Sequence, residues 1–290
     1  MAICADDPEA EGFPRAPSEE EWARMSEAER AACLDLLPAH MSDVELLPPE
    51  GDLHRDAKSD ALDVLREFFR RTGQKVYVAA DLTVYYPAER RFSPDVLAVI
   101  GAEPHPRMKW VVSAEGKGLA WVLEVHVAGE RRKDMERNVA LYARLGIPEY
   151  FIYDRGRQRL SGFALPEPGA KQYRPMVPQN GFFSSRVLGL ELRVEDGRVR
   201  YYHGNAQLLD APELIAKLER LSEQQAERAE EAARRAEEEA RRAEEEARRA
   251  EEEARRAEEE ARRAEEEARR AEALARRVAE LEAELAKRRG

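Results

Sequence analysis

Two acids in this chain stand where an acid is costly. Asp95 opens the apolar run Val96-Leu97-Ala98-Val99-Ile100, and Glu124 sits inside Trp121-Val122-Leu123-Glu124-Val125-His126-Val127. Both runs are short and rich in β-branched residues, the pattern of buried strands. A carboxylate inside a buried strand loses hydration unless a partner or a metal replaces it. Two such strands side by side would bring the carboxylates together, and like charges at close range favour a cation between them. Oxygen-only ligands of this kind suit Mg²⁺ or Mn²⁺. His126 shares a strand face with Glu124, because side chains alternate along a strand. A neutral imidazole there can orient water or ligate metal. The residues alone leave a plainer alternative open, in which Asp95 caps a turn and Glu124 pairs with an arginine.

The elements that must position these acids are readable around them. Ala57 to Arg71 patterns as an amphipathic helix with Ala61, Leu62, Leu65, Phe68 and Phe69 on one face, stopped at Thr72-Gly73. Lys75 to Ala80 and Leu82 to Tyr86 read as a strand pair or one bent strand, with Asp81 between. The Asp95 strand follows, then a loop from Gly101 to Gly118, then the Glu124 strand. A helix from Arg132 to Leu145 ends at Gly146, and Glu149-Tyr150-Phe151-Ile152-Tyr153-Asp154 is the next strand. Further strands are expected at 159–165, 172–176, 190–194 and 198–202, the last two joined by an Asp196-Gly197 hairpin turn.

The spacing of these residues resembles a known pattern. Pro94-Asp95, a gap of about thirty residues, then Glu124-Val125-His126 looks like the PD-(D/E)XK nuclease signature. Asp134, Asn138 and Tyr142 follow at intervals of four, and then Leu145-Gly146-Ile147-Pro148-Glu149-Tyr150 up to Asp154. That run resembles the Uma-two-like restriction endonuclease family, whose pattern is Asp, Lys and Tyr at intervals of four, then Gly-Val-x-Glu-Tyr-Trp and an Asp. The likeness covers roughly residues 40 to 200. It departs at the family's helix lysine, which is Asn138 here, and His126 stands at the lysine position of Glu-x-Lys.

The resemblance implies an α/β, restriction-endonuclease-like fold: a central mixed sheet flanked by helices, here followed by a long C-terminal α-helix. It implies a metal-dependent endonuclease that hydrolyses DNA phosphodiester bonds with Mg²⁺ or Mn²⁺. Asp95 and Glu124 would ligate the metal, with Glu45 and Asp81 as further ligands. His126 would orient the water, while Lys133 or Arg137 would supply the charge that Asn138 lacks. His54 is expected just ahead of the first core helix. The alternative is a nuclease fold that has lost catalysis and serves as a binding or scaffold protein through its long helix.

Composition bounds the rest. The chain has 290 residues and a net charge of −11, and 37% of it is charged, well above the globular norm. The excess is C-terminal: Ala226 to Gly290 holds 22 Glu against 18 Lys and Arg, a net of −4, which leaves −7 for the rest. Neither part has the basic balance usual for phosphate contacts, although Arg131, Arg132, Lys133, Arg137 and Arg144 gather beside the proposed site. The organisation expected is an N-terminal arm with short helices over 1–40, a nuclease-like domain over 41–205, and a charged helix over 206–290. Ser18-x-x-Glu21 and Ser26-x-x-Glu29 are capping boxes for the short helices. In the long helix Ala-Glu-Glu-Glu-Ala-Arg-Arg repeats five times from Ala236 to Arg270. Its i,i+4 Glu–Arg pairs favour an isolated charged helix, since an alanine seam would set Glu against Glu in a homodimer. Leu274, Val278, Leu281 and Leu285 form an apolar seam that would serve a homo-oligomer. Cys4 and Cys33 lack metal spacing, and no apolar run approaches a membrane span of about 20 residues. A cytoplasmic protein is expected.

Overall fold

The computed structural model describes residues 14–42, 51–127 and 131–289, with the backbone alone described for 131–135 and 284–289. Glu45 and Cys4 lie outside the described residues. Two compact units are present, Met1–Ile215 and Ala216–Gly290.

The first unit opens with α1 (Glu19–Arg24) and α2 (Glu27–Leu36). Both start on complete capping boxes: the Ser18 and Ser26 hydroxyls accept from the Glu21 and Glu29 amides, and those glutamates accept in return from the serine amides. Helix α3 (Asp52–Thr72) follows and buries Ala61, Val64, Leu65, Phe68 and Phe69. Gly73, at φ +69°, turns the chain out of it in the left-handed conformation that only glycine adopts freely. Next come β1 (Val76–Ala80), β2 (Val84–Tyr85), β3 (Val96–Ile100), β4 (Trp110–Val111), the single-turn α4 (Val112–Glu115) and β5 (Trp121–His126). Helix α5 (Arg131–Arg144) crosses to β6 (Glu149–Asp154), followed by β7 (Arg159–Ala164), β8 (Arg174–Pro175), β9 (Phe183–Ser185), β10 (Leu190–Glu195), β11 (Arg198–His203) and β12 (Ala206–Gln207). The last helix, α6 (Ala211–Arg289), starts in the first unit and forms the second.

The main sheet has the order β1-β3-β5-β6-β7-β8. Only β5 and β6 are parallel, as their connection through α5 requires; the other pairs are antiparallel. The sheet is therefore mixed, and β1, β3, β5 and β6 are buried on both faces. Val76, Val78, Val96, Ala98, Trp121, Leu123, Val125, Phe151 and Tyr153 join α3 in one apolar core. The alternating positions Tyr77, Ala79, Leu97, Val99, Val122, Tyr150 and Ile152 join Tyr142 of α5 in a second core. The period of two along each strand divides these sets. It also leaves Glu124 in the same alternation as Val122, on the α5 side. A second sheet, β12-β11-β10-β9, packs into the α3 core through Phe183, Leu190, Leu192 and Tyr201. Asp196 and Gly197 make the expected β10–β11 turn, both at positive φ (+49° and +69°).

Several expectations are corrected. The stretches on either side of Asp81 are not partners: β1 joins the main sheet, and β2 pairs in parallel with β4 in a separate ribbon. That ribbon and α4 lie within or against the stretch expected to be loop. Helix α3 begins at Asp52, five residues before the amphipathic pattern, so His54 lies in its first turn and not ahead of it.

The N-terminal arm is docked on the β2–β4 ribbon. Ala16, Cys33 and Leu37 pack with Tyr85 and Val111. Ribbon side chains take the arm's backbone carbonyls: the Tyr85 hydroxyl donates to Pro38 at 2.7 Å, Thr83 to Ala39 at 2.9 Å and Arg91 to His40 at 3.0 Å. Lys109 donates to the carbonyls of Leu34 and Leu37.

Considered by itself, the second unit is a continuous helix with its described side chains exposed. Glu238–Arg242 at 2.6 Å and Glu265–Arg269 at 3.6 Å are i,i+4 pairs of the repeat. Leu274, Val278 and Leu281 of the expected seam are exposed; the Leu285 side chain lies outside the described residues. Among the described residues no helix is long and apolar enough to cross a membrane.

Candidate active site

The antiparallel register of β3 on β5 pairs Val96 with Leu123. One step further along that register, Asp95 stands opposite Glu124. The Asp95 amide lies 3.4 Å from Glu124 Oε2, and the Val125 amide donates to Asp95 Oδ2 at 2.7 Å. The two acids expected from the sequence are thus brought together at the end of the β3–β5 ladder. Both are shielded, Asp95 with 14% of its side chain exposed and Glu124 with 9% of the residue exposed.

Their electrostatics differ. Burial pushes Asp95 up, but His54 and the Val125 amide outweigh it and hold the carboxyl below the usual carboxylate range. Burial also pushes Glu124 up, the Asp95 charge pushes it further, and the carboxyl ends well above that range. The Tyr142 hydroxyl works the other way, donating to Glu124 Oε1 at 2.7 Å. Burial and the neighbouring charge thus raise Glu124, while His54 and the Val125 amide lower Asp95.

Helix α3 supplies a second set of contacts that the sequence reading missed. His54 Nε2 lies 3.1 Å from both Asp95 oxygens. Lys58, one turn along, places Nζ 3.7 Å from Asp95 Oδ1. The same ammonium donates to Asp81 at 2.8 and 2.9 Å. Asp81 sits in the turn after β1 at φ +52°, where its amide donates to the carbonyls of Pro94 and Asp95. Asp81 is therefore near the site, with Lys58 between it and Asp95. The spacing of four from His54 to Lys58 was the available signal, since it places both on one helix face.

The other expected residues are placed less closely. His126 follows Glu124 by two along β5, and its Nε2 is buried with no hydrogen-bond partner among the described residues. Arg137 is exposed on α5, and the Lys133 side chain lies outside the described residues. Tyr150 packs edge-on against Tyr142, with ring centroids 4.9 Å apart, near the Asn138 amide.

The donor set fits an open Mg²⁺ or Mn²⁺ site. Mg²⁺ is commonly held by one or two carboxylates, with water and phosphate oxygens completing its shell. Asp95 and Glu124 offer two, shielded and in opposed register, and like charges so placed favour a cation between them. A closed cage is a different matter: among the described residues no group of three or more His, Cys, Asp or Glu is arranged to hold a metal.

Comparison with known proteins adds three findings. No curated protein matches the chain. Among solved structures, the chain is similar to one described as a "putative nuclease belonging to DUF820 from Anabaena variabilis ATCC 29413". The identity is 11%, the match covers 49% of this chain and 76% of that one, and the TM-score is 0.38. The family model Uma2, described as "Putative restriction endonuclease", matches residues 42–195. That match takes in both acids, α3, the main sheet and α5, more than half of the sequence, and the chain belongs to the Uma2 family.

Proposed function

We propose that this protein is a divalent-metal-dependent endonuclease that hydrolyses phosphodiester bonds of DNA, with Asp95 and Glu124 as the metal ligands. One observation carries the reading: two shielded carboxylates in opposed register, in a chain of a restriction endonuclease family. A bound Mg²⁺ or Mn²⁺ would supply Lewis acidity and a water of lowered pKa. The protein's own part is positioning. The Val125 amide and His54 keep Asp95 ionised, and Tyr142 favours ionised Glu124 once its proton is displaced. His126, two residues along the strand, is assigned to orient the water. Hydrolysis joins the water oxygen to phosphorus and breaks one P–O ester bond; the ester oxygen leaves as an alcohol carrying a proton. Asp81, held by Lys58, is assigned to anchor that lysine in preference to ligating metal.

Asn138 favours a second reading, a nuclease fold that binds DNA without cutting it. Plasmid cleavage separates the two. The full chain is incubated with supercoiled DNA in Mg²⁺, in Mn²⁺ and with a chelator, beside a Glu124→Ala control. The nuclease reading expects nicked or linear product with metal, none with chelator, and a loss of about 100-fold or more in the variant, the scale of removing one preorganised catalytic group. DNA binding without cleavage in either metal would select the second reading.

A further inference from the structure

We propose that Lys58 of α3 is a catalytic residue, the cation that contacts the phosphate in place of the lysine lost at position 138. The inference rests on the nuclease reading and gives the site a residue that its sequence pattern does not supply. Position 126 holds a histidine, position 138 an uncharged amide, and Arg137 points its charge into solvent on α5. Lys58 alone among the described cations has an ion-pair contact with either carboxylate of the pair, apart from His54.

Three features of its setting go beyond a surface salt bridge. Its side chain is only 14% exposed, although lysine is mostly an exposed residue. Its carrier is rigid: α3 is locked to the main sheet by Leu65, Phe68 and Phe69. Among the described residues its hydrogen bonding is incomplete on the side facing Asp95. An ammonium has three protons, and Asp81 engages it at 2.8 and 2.9 Å from one side. Asp95 Oδ1, at 3.7 Å, is beyond hydrogen-bond length. A proton therefore remains for an oxygen lodged between Lys58 and the acid pair, which is where a phosphate held at Asp95 and Glu124 would present one. The Asp81 turn fixes the ammonium from behind, and the four-carbon stem carries it to the rim of the metal site.

Neutral variants test this. Lys58→Met removes the charge; Lys58→Gln removes it while keeping a donor for Asp81, so the fold is retained if the ion pair matters to it. Cleavage in Mn²⁺, Mn²⁺ affinity by titration calorimetry and thermal unfolding are measured on the full chain. The proposal expects both variants to fold, to lose cleavage by about 100-fold or more, and to bind Mn²⁺ as tightly as wild type or more tightly, because a neighbouring positive charge is gone. Cleavage within about threefold of wild type in either folded variant overturns Lys58 and leaves the nuclease reading standing. Loss of Mn²⁺ binding together with cleavage also overturns it, since Lys58 then only holds Asp95 in place. If wild type itself never cleaves, the nuclease reading falls and Lys58 falls with it.

Discussion

Tyr142→Phe isolates one interaction of the site. The ring is buried between Phe92, with centroids 5.4 Å apart, and Tyr150, at 4.9 Å, and phenylalanine fills the same space. What is lost is the 2.7 Å hydrogen bond to Glu124 Oε1. That bond favours the ionised carboxylate, whereas burial and Asp95 favour the protonated one. Metal must displace the proton to bind. Removing the hydroxyl therefore raises Glu124 further above its ordinary value and strengthens the competitor of the metal. A hydrogen bond to a charged group contributes about 1.5–3 kcal/mol, and about 1.4 kcal/mol is tenfold in affinity. Mn²⁺ affinity at neutral pH should fall roughly ten- to a hundredfold, within the range seen when groups that orient metal ligands are removed. The pH at which metal binding sets in should move upward. Calorimetric titration of Mn²⁺ at several pH values into wild type and Tyr142→Phe gives both quantities. Unchanged affinity, or an onset moved to lower pH, would refute the assignment of Glu124 as a ligand tuned by Tyr142.

Glu149 gives a stability prediction. It is buried at the start of β6 and accepts from the Arg186 amide at 2.8 Å, the Val187 amide at 3.2 Å and the Ser185 hydroxyl. Burial nevertheless raises its carboxyl above the unfolded value. A raised folded value means that its stabilising contribution is complete below the ordinary carboxylate range and is lost as pH rises through the folded value. Urea unfolding from pH 4 to 8 should show a steeper decline in wild type than in Glu149→Gln, and equal slopes would contradict it. Glu149→Ala, which strands those donors, should cost about 1–3 kcal/mol or more. Separately, a peptide of residues 236–270 should be helical by circular dichroism at low salt and should lose helix as salt rises, because its alanines and Glu–Arg pairs are local. A coil-like spectrum at low salt would count against that.

The acids were legible in the sequence because burial makes a carboxylate conspicuous in an apolar run. Strand β6 falls on 149–154 as expected, and α5 ends within a residue of its expected bounds at both ends, since each lies between strong local signals such as Gly146. The start of α3 was hidden because Gly51 gives it no side-chain cap and its first turn, His54 apart, is exposed. The β2–β4 ribbon was hidden because two-residue strands have no period to read, and only a distant partner defines them. Lys58 was missed for a related reason. In the sequence it is a lysine in line with the apolar stripe Ala61, Leu62 and Leu65, one turn ahead of it. Its meaning comes from Asp81 and Asp95, 23 and 37 residues away. Local patterns report which face of an element is buried; they do not report where the far end of a long side chain arrives.

Whether Asp95 and Glu124 together hold the metal is decided by anomalous diffraction from crystals of the full chain grown with Mn²⁺. The expected result is a manganese peak with oxygens of both carboxylates at roughly 2.0–2.2 Å, near the Mg–O distance, and no such peak in Glu124→Ala. A manganese ion bound elsewhere, with neither carboxylate as a ligand, would overturn the assignment.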